Sequence, residues 1–160
     1  MNKPARIGLL IAAMTLAATV FATAGIANGS GPRTTTIVYH LKYSPLTVIH
    51  VSPPNGAPYS RGDEILSWDD LYKGGKKAGR DANACVITNL SPLQAECTIT
   101  FVVADGTITA QYMDTPPPHK IAAVTGGTGK YLGARGQVVI VESGSDTNVK
   151  GNTATFTLLR

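Results

Sequence analysis

The sequence predicts an all-β fold of about eight antiparallel strands, either closed into a barrel or stacked as a sandwich. Three observations carry that prediction. Short runs rich in β-branched, aromatic and aliphatic residues recur along the chain, separated by glycine, proline and asparagine. Within several runs the apolar residues occupy every second position, the period of a strand with one buried face. Beyond the N-terminal region, no stretch carries the spacing of an amphipathic helix.

The first residues set the compartment. Lys3 and Arg6 precede an apolar or small-residue stretch over residues 7–24, and Ala22-Thr23-Ala24 gives the small-x-small pattern of a signal-peptidase site. Gly25-Ile26-Ala27 offers a second site. The run is close to the minimum length of a membrane span. Small residues crowd its second half, however, and no basic stop-transfer cluster follows, which favours cleavage over anchoring. Residues 1–24 therefore read as a signal peptide cut after Ala24 or Ala27, residues 25–33 as a flexible leader, and residues 34–160 as one secreted β-domain. No cysteine follows the cut to carry a lipid, so no membrane attachment is expected after cleavage.

The strands follow in order. Residues 34–42 form the first, and residues 46–52 continue it after Ser44-Pro45. Pro53, Pro54, Asn55, Gly56 and Pro58 make a loop. Residues 63–72 are a weaker strand candidate, and residues 74–79 read as a loop. Lys73, Lys76, Lys77 and Arg80 gather there with Asp69, Asp70 and Asp81 beside them, the composition of a solvated surface. Residues 82–90 and 95–104 are apolar strands. Asp105-Gly106 is a hairpin signal ahead of residues 107–113. Pro116 to Pro118 exclude central-strand pairing at that point. Residues 121–125, 136–143 and 153–159 complete the set. Alternation is plain where Cys97, Ile99, Phe101 and Val103 share one face, and again where Ala154, Phe156 and Leu158 do.

Charge excludes one class of partner. Fourteen basic residues against ten acidic give a formal charge of +4, part of which leaves with Lys3 and Arg6. That balance, without a basic stripe or interleaved aromatics, does not make a nucleic-acid surface.

Residues 122–141, AAVTGGTGKYLGARGQVVIV, set glycines beside a lysine and invite a phosphate-loop reading. A Walker A loop needs glycine five positions before its Gly-Lys pair and a hydroxyl residue after it. Here those positions hold Val124 and Tyr131. Gly127, Gly129 and Gly133 also miss the dinucleotide spacing, and a strand follows where a helix should begin. Gly126, Gly127, Gly129 and Gly133 instead read as the turn between two strands, with Lys130 in solvent.

The two cysteines flank a hairpin. Ser91 is the midpoint between Cys85 and Cys97, so a simple hairpin sets the two directly opposite, close enough to bond in an oxidising compartment. A disulfide is the expectation; two free thiols are the alternative. His50 and His119 have no metal-ligand spacing, no Cys/His cluster exists, and no cofactor motif is present.

The phrase AVTGGTGKYLGARGQV resembles the signature of the allene oxide cyclase and dirigent-protein superfamily. The order of upstream pieces is similar too: Gly62-Asp63 opening a strand that ends in Leu71-Tyr72, a basic glycine loop, then Ala84-Cys85-Val86. The likeness spans roughly residues 34–160. It is dense over residues 122–141 and sparse before residue 60. It implies an eight-stranded antiparallel barrel with a central apolar cavity, commonly assembled as a homotrimer. The implied ligand is a small hydrophobic molecule, whose cyclisation or stereoselective coupling the barrel steers. On this reading Ile65, Ile99, Phe101, Tyr112 and Phe156 line the pocket.

The implied catalytic positions depart from the family. Cys85 matches a pocket cysteine and serves as one only if it is reduced. Asp69 falls near a pocket asparagine. His40 takes the place of a first-strand glutamate, with Lys42 replacing a further asparagine. His40 acts as a general base if it faces inward, and as a rim or interface residue if it does not. Asp69 and Asp114 are candidates for the acidic pocket residues of dirigent proteins. Asp69 and Asp70 are strand neighbours on opposite faces, so they do not act as a pair, and Trp68 points outward. Three functions are therefore open: a barrel that steers a ring closure, a carrier with the same pocket and no turnover, and a filled barrel acting through its outer surface.

Overall fold

The computed structural model describes residues 33–52, 56–115, 119–143 and 151–159. The signal peptide, the leader apart from Arg33, and the proline run at 116–118 lie outside the described residues. Ten strands follow in chain order: β1 Thr34–Lys42, β2 Thr47–Ile49, β3 Glu64–Ser67, β4 Asp70–Lys73, β5 Lys76–Leu90, β6 Leu93–Val103, β7 Gly106–Asp114, β8 His119–Gly127, β9 Arg135–Val141 and β10 Thr153–Leu159. A single 3-10 turn, Gly129–Tyr131, stands between β8 and β9, and the described residues contain no α-helix.

All pairings are antiparallel, and they close. From β1 the ladder runs through β10, β9, β8, β7 and β6 to β5, which pairs back onto β4 and so returns to β1. β3 and β4 lie in succession along the fifteen-residue β5 and act as one interrupted wall strand. The result is an eight-stranded barrel, with β2 added outside on the free edge of β3. The barrel alternative thus prevails over the sandwich. Closure runs through the short β1–β4 ladder, His40–Lys42 against Asp70–Tyr72.

Several boundaries differ from the sequence expectation, for local reasons. Only Gly74 and Gly75, both at positive φ (58° and 77°), form the loop expected over residues 74–79. Lys76 to Gly79 are already strand, pairing with β4 on one side and, at Gly79, with Val103 of β6 on the other. The continuation over residues 46–52 shrinks to three residues. The strand expected over residues 63–72 breaks at Trp68 and Asp69.

The hairpin register rests on one extra residue. The β5–β6 turn pairs Leu90 with Leu93, a register that would carry Cys85 past Cys97. A bulge at Thr88, between the Ile87–Ala95 and Asn89–Gln94 pairs, shifts the ladder by one and sets Cys85 opposite Cys97. The two form a disulfide, with Cα atoms 4.1 Å apart and both residues buried.

Inward residues fill the middle of the barrel. Phe101 packs edge-on against Phe156 at 4.8 Å between ring centroids, and Tyr39 against Phe156 at 6.0 Å. Leu41, Leu71, Ile108 and Val138 are fully buried around them. Burying each such side chain stabilises the fold by about 1.5–3 kcal/mol. Open space is therefore pushed toward the two ends of the barrel.

Candidate functional site

At one end, the wall strands, residues 43–46 and Tyr59 surround a cavity of about 460 Å³. Ile65, Cys85, Ile99 and Ile140 form its apolar floor, and Tyr43, Leu46, Tyr59 and Leu93 line it higher up. Tyr112 reaches Asn83, its hydroxyl donating to Oδ1 at 3.4 Å. Of the expected pocket residues, Ile65, Ile99 and Tyr112 line this cavity. Phe101 and Phe156 instead form the plug beneath it.

Two carboxyl groups meet in the wall. Asp69 stands at the break between β3 and β4, and Asp81 faces inward from β5. The Asp69 amide donates to Asp81 Oδ1 at 3.0 Å, and the Asp81 amide donates to the Asp69 carbonyl at 2.9 Å. Asp69 Oδ1 in turn accepts the Ser44 amide at 2.9 Å. The break in the wall is thus satisfied by a side chain standing in for a ladder partner.

Asp81 is 1% exposed, and its Oδ2 is buried without a hydrogen-bond partner. Burial first, then the charge of Asp69, pushes its carboxyl up to about 8. Asp81 is therefore mostly protonated at neutral pH and presents a carboxylic acid to the cavity. The sequence suggested solvent for this residue, as one acid among the loop lysines. The strand alternation of β5 turns it inward instead, on the face shared by Cys85 and Ile87.

An ionic cluster occupies the opposite rim. Lys120 Nζ lies 2.9 Å from Asp114 Oδ1 and 2.8 Å from Glu142 Oε1. Burial pushes the Lys120 ammonium down, but the hydrogen bonds it donates to Glu142 and Asp114 outweigh it and hold it above its ordinary value. Burial, then Glu142, Asp69 and Asp81, pushes the Tyr43 hydroxyl up, and that hydroxyl has no protein partner. Burial and Asp114 do the same to Tyr112.

The other expected positions fall as follows. His40 lies between the inward Tyr39 and Leu41, so it faces away from the lumen. Cys85 is bonded to Cys97 and offers no thiol. Asp70 points away from Asp69 and pairs with Lys77, while Trp68 is 46% exposed with the Arg80 guanidinium 4.6 Å above its ring. Among the described residues, Cys85, Cys97 and Asp114 have ligand atoms close together, but the two sulfurs are bonded to each other. Asp81, Lys120, Glu142, Tyr43 and Tyr59 were not singled out from the sequence. For Asp81 the available signal was the period of two.

At the opposite end the glycine-rich segment lines a second cavity of about 530 Å³, with Tyr39, Lys73 and Asp105 on its other sides. Gly129 and Gly133 adopt φ of 58° and 73°, turning β8 through the 3-10 turn into β9. Gly136, at φ 133°, lies against the Thr157 carbonyl of β10, where a Cβ would collide. Gly126 has neither feature, with only Thr109 Oγ1 near at 3.7 Å. Lys130 is exposed and 3.3 Å from Asp105 Oδ2.

The architecture defines a closed antiparallel barrel with an acid-bearing cavity at one end. No family model and no curated protein matches the sequence. Among solved structures, the chain is similar to a pyocyanin demethylase, with TM-score 0.65 and 24% identity over 78% of this chain and 99% of that one. It is also similar to the pterocarpan synthase dirigent protein PsPTS1, with TM-score 0.59 and 16% identity over 79% and 94%. A third is the Diels Alderase AbmU from Streptomyces koyangensis, with TM-score 0.54 and 14% identity; the likeness covers 79% of this chain and 63% of that one. The fold is that of the dirigent and cyclase barrels.

Proposed function

We propose that the chain is an exported barrel that binds a small, largely apolar molecule in the Asp69–Asp81 cavity and steers its rearrangement or ring closure by proton transfer from Asp81. One observation carries this reading: Asp81, which lines a cavity of about 460 Å³, has a buried carboxyl with one oxygen unpartnered. Cavities of that size hold small organic ligands, and a carboxyl raised to about 8 is poised as a general acid near neutral pH. The apolar floor restrains the ligand, and the acid protonates it where charge develops. The neighbouring folds support a small-molecule role, since those proteins are named for demethylation, pterocarpan synthesis and Diels–Alder chemistry.

Export fits the signal-peptide pattern and the Cys85–Cys97 disulfide, which suits an oxidising compartment. Assembly as a homotrimer belongs to the same reading. Ile121 and Val38, exposed on the outer wall at 65% and 40%, support a subunit contact there.

A carrier without turnover is the second reading. It is favoured by the pairing of Lys120 with Asp114 and Glu142, which ties up charged groups that would otherwise assist Asp81. Mass spectrometry of small molecules retained by the native protein, followed by turnover of the retained class, separates the two. Catalysis predicts a rate that falls above about pH 8 in the parent and is lost in Asp81→Asn. A carrier retains the ligand and releases it unchanged. A protein that retains no small molecule contradicts both.

A further inference from the structure

We infer that the cavity selects cationic aromatic ligands over neutral or anionic ones of the same shape. The inference rests on the cavity being the ligand site and names the chemistry that site prefers.

Its lining carries four carboxyl groups, Asp69, Asp81, Asp114 and Glu142, against one ammonium, Lys120. Lys120 is already held between Asp114 and Glu142, so it is neutralised before any ligand enters. An anionic ligand would meet carboxylates with no spare cation to receive it, a costly burial. Three tyrosines, Tyr43, Tyr59 and Tyr112, bring aromatic rings to the same space. Rings beside carboxyl groups are what an organic cation prefers, since the faces of the rings and the acids attract it together. The unpartnered Oδ2 of Asp81 is the one buried acceptor among these acids left without a protein donor or cation.

Charge balance adds a signature. The titratable groups around Asp81 are Asp69 in the adjoining wall, with the Lys77-paired Asp70 beside it on the outer face, Tyr43 from the loop, Tyr112 and Asp114 from β7, and Lys120 and Glu142 across the mouth. With acids in the majority, a bound cation favours the ionised form of Asp81, which passes its proton to solvent. Below about pH 8, cation binding therefore releases up to one proton. Affinity for the cation then rises by up to about tenfold per pH unit and levels off above that point.

The test titrates the full chain with N-methylacridinium, neutral acridine and anthracenecarboxylate, three ring systems of one shape and different charge. Calorimetry is run in two buffers of unlike ionisation enthalpy. The expected result is binding of the cation at least about tenfold tighter than acridine, no binding of the anion, and an apparent enthalpy that changes with buffer. Asp81→Asn, with folding checked by circular dichroism, loses the buffer dependence. Proton release by the parent gives the same readout should that variant fail to fold. Equal binding of cation and neutral ring, without proton release, overturns the charge inference while leaving the cavity as the ligand site. Failure of all three probes, together with no retained small molecule, removes the cavity reading itself.

Discussion

Asp69 and Asp81 hold each other by two backbone-based hydrogen bonds: the Asp69 amide on Asp81 Oδ1 at 3.0 Å, and the Asp81 amide on the Asp69 carbonyl at 2.9 Å. This arrangement fixes one carboxyl oxygen of Asp81 in the wall and leaves the other unpartnered and buried. It also brings the Asp69 charge close enough to disfavour ionisation of Asp81. Fold and chemistry therefore meet at the same break between β3 and β4.

That arrangement lowers stability at neutral and alkaline pH. The Asp81 carboxyl ionises near pH 4 in the unfolded chain and at about 8 in the folded one. Between those values the unfolded state binds fewer protons, so stability falls as pH rises through that window and levels off above it. Asp81→Asn keeps an oxygen for the Asp69 amide and removes the titration. Its advantage in Tm over the parent should be absent near pH 4 and grow steadily toward pH 8. Thermal melts across that range check this; a constant difference at all pH values would contradict it.

The Cys85–Cys97 bridge joins strands that are already paired, so its loss should weaken the barrel without changing its topology. Replacing both residues with alanine is expected to cost about 2–4 kcal/mol in denaturant unfolding. The β-rich circular dichroism spectrum should persist. A variant as stable as the parent would show that the bridge contributes nothing beyond the ladder.

The glycines should rank by geometry rather than by their place in the motif. Gly136→Ala drives a Cβ into the Thr157 carbonyl at a positive φ and should be the most damaging. Gly133→Ala has open space but φ 73°, for a cost of about 1 kcal/mol. Gly126→Ala has neither problem and should be nearly neutral. Chemical denaturation of the three variants tests the order.

Asp63 fastens the loop that lines the cavity. Its buried carboxylate accepts the Ser60 amide at 2.8 Å, His50 Nδ1 at 2.8 Å and the Val51 amide at 3.0 Å. Burial pushes this carboxyl up, but Ser60, His50 and Val51 outweigh it and hold it below its ordinary value. Its contribution is complete above the ordinary carboxylate range and is lost as pH falls through the lowered value. Asp63→Asn should free His50, Val51 and Ser60 and speed hydrogen exchange at the Val51 and Ser60 amides. Ligand affinity should fall with it, because Tyr59, next to Ser60, loses its support.

By itself, the sequence determined the strand-rich fold, the facing of Ile99 against Thr98, the hairpin at Asp105-Gly106 and the pairing of Cys85 with Cys97. Each follows from a period of two or from a turn within a few residues, interactions that a local stretch of chain specifies. The Cys pairing came out in register only because the bulge at Thr88 offset the tight Leu90–Leu93 turn, a compensation no local pattern reveals. Tertiary structure decided the rest. Closure of the barrel chose which acids face the cavity, and it drew Asp81 from an apparently solvated lysine-rich segment into the wall. Lys120, Asp114 and Glu142 converge from three places in the chain, and Tyr43 and Tyr59 arrive beside residues held by Asp69 and Asp63. Such a site is set by long-range burial and charge, which raise a carboxyl to about 8 only once its neighbours have been assembled around it.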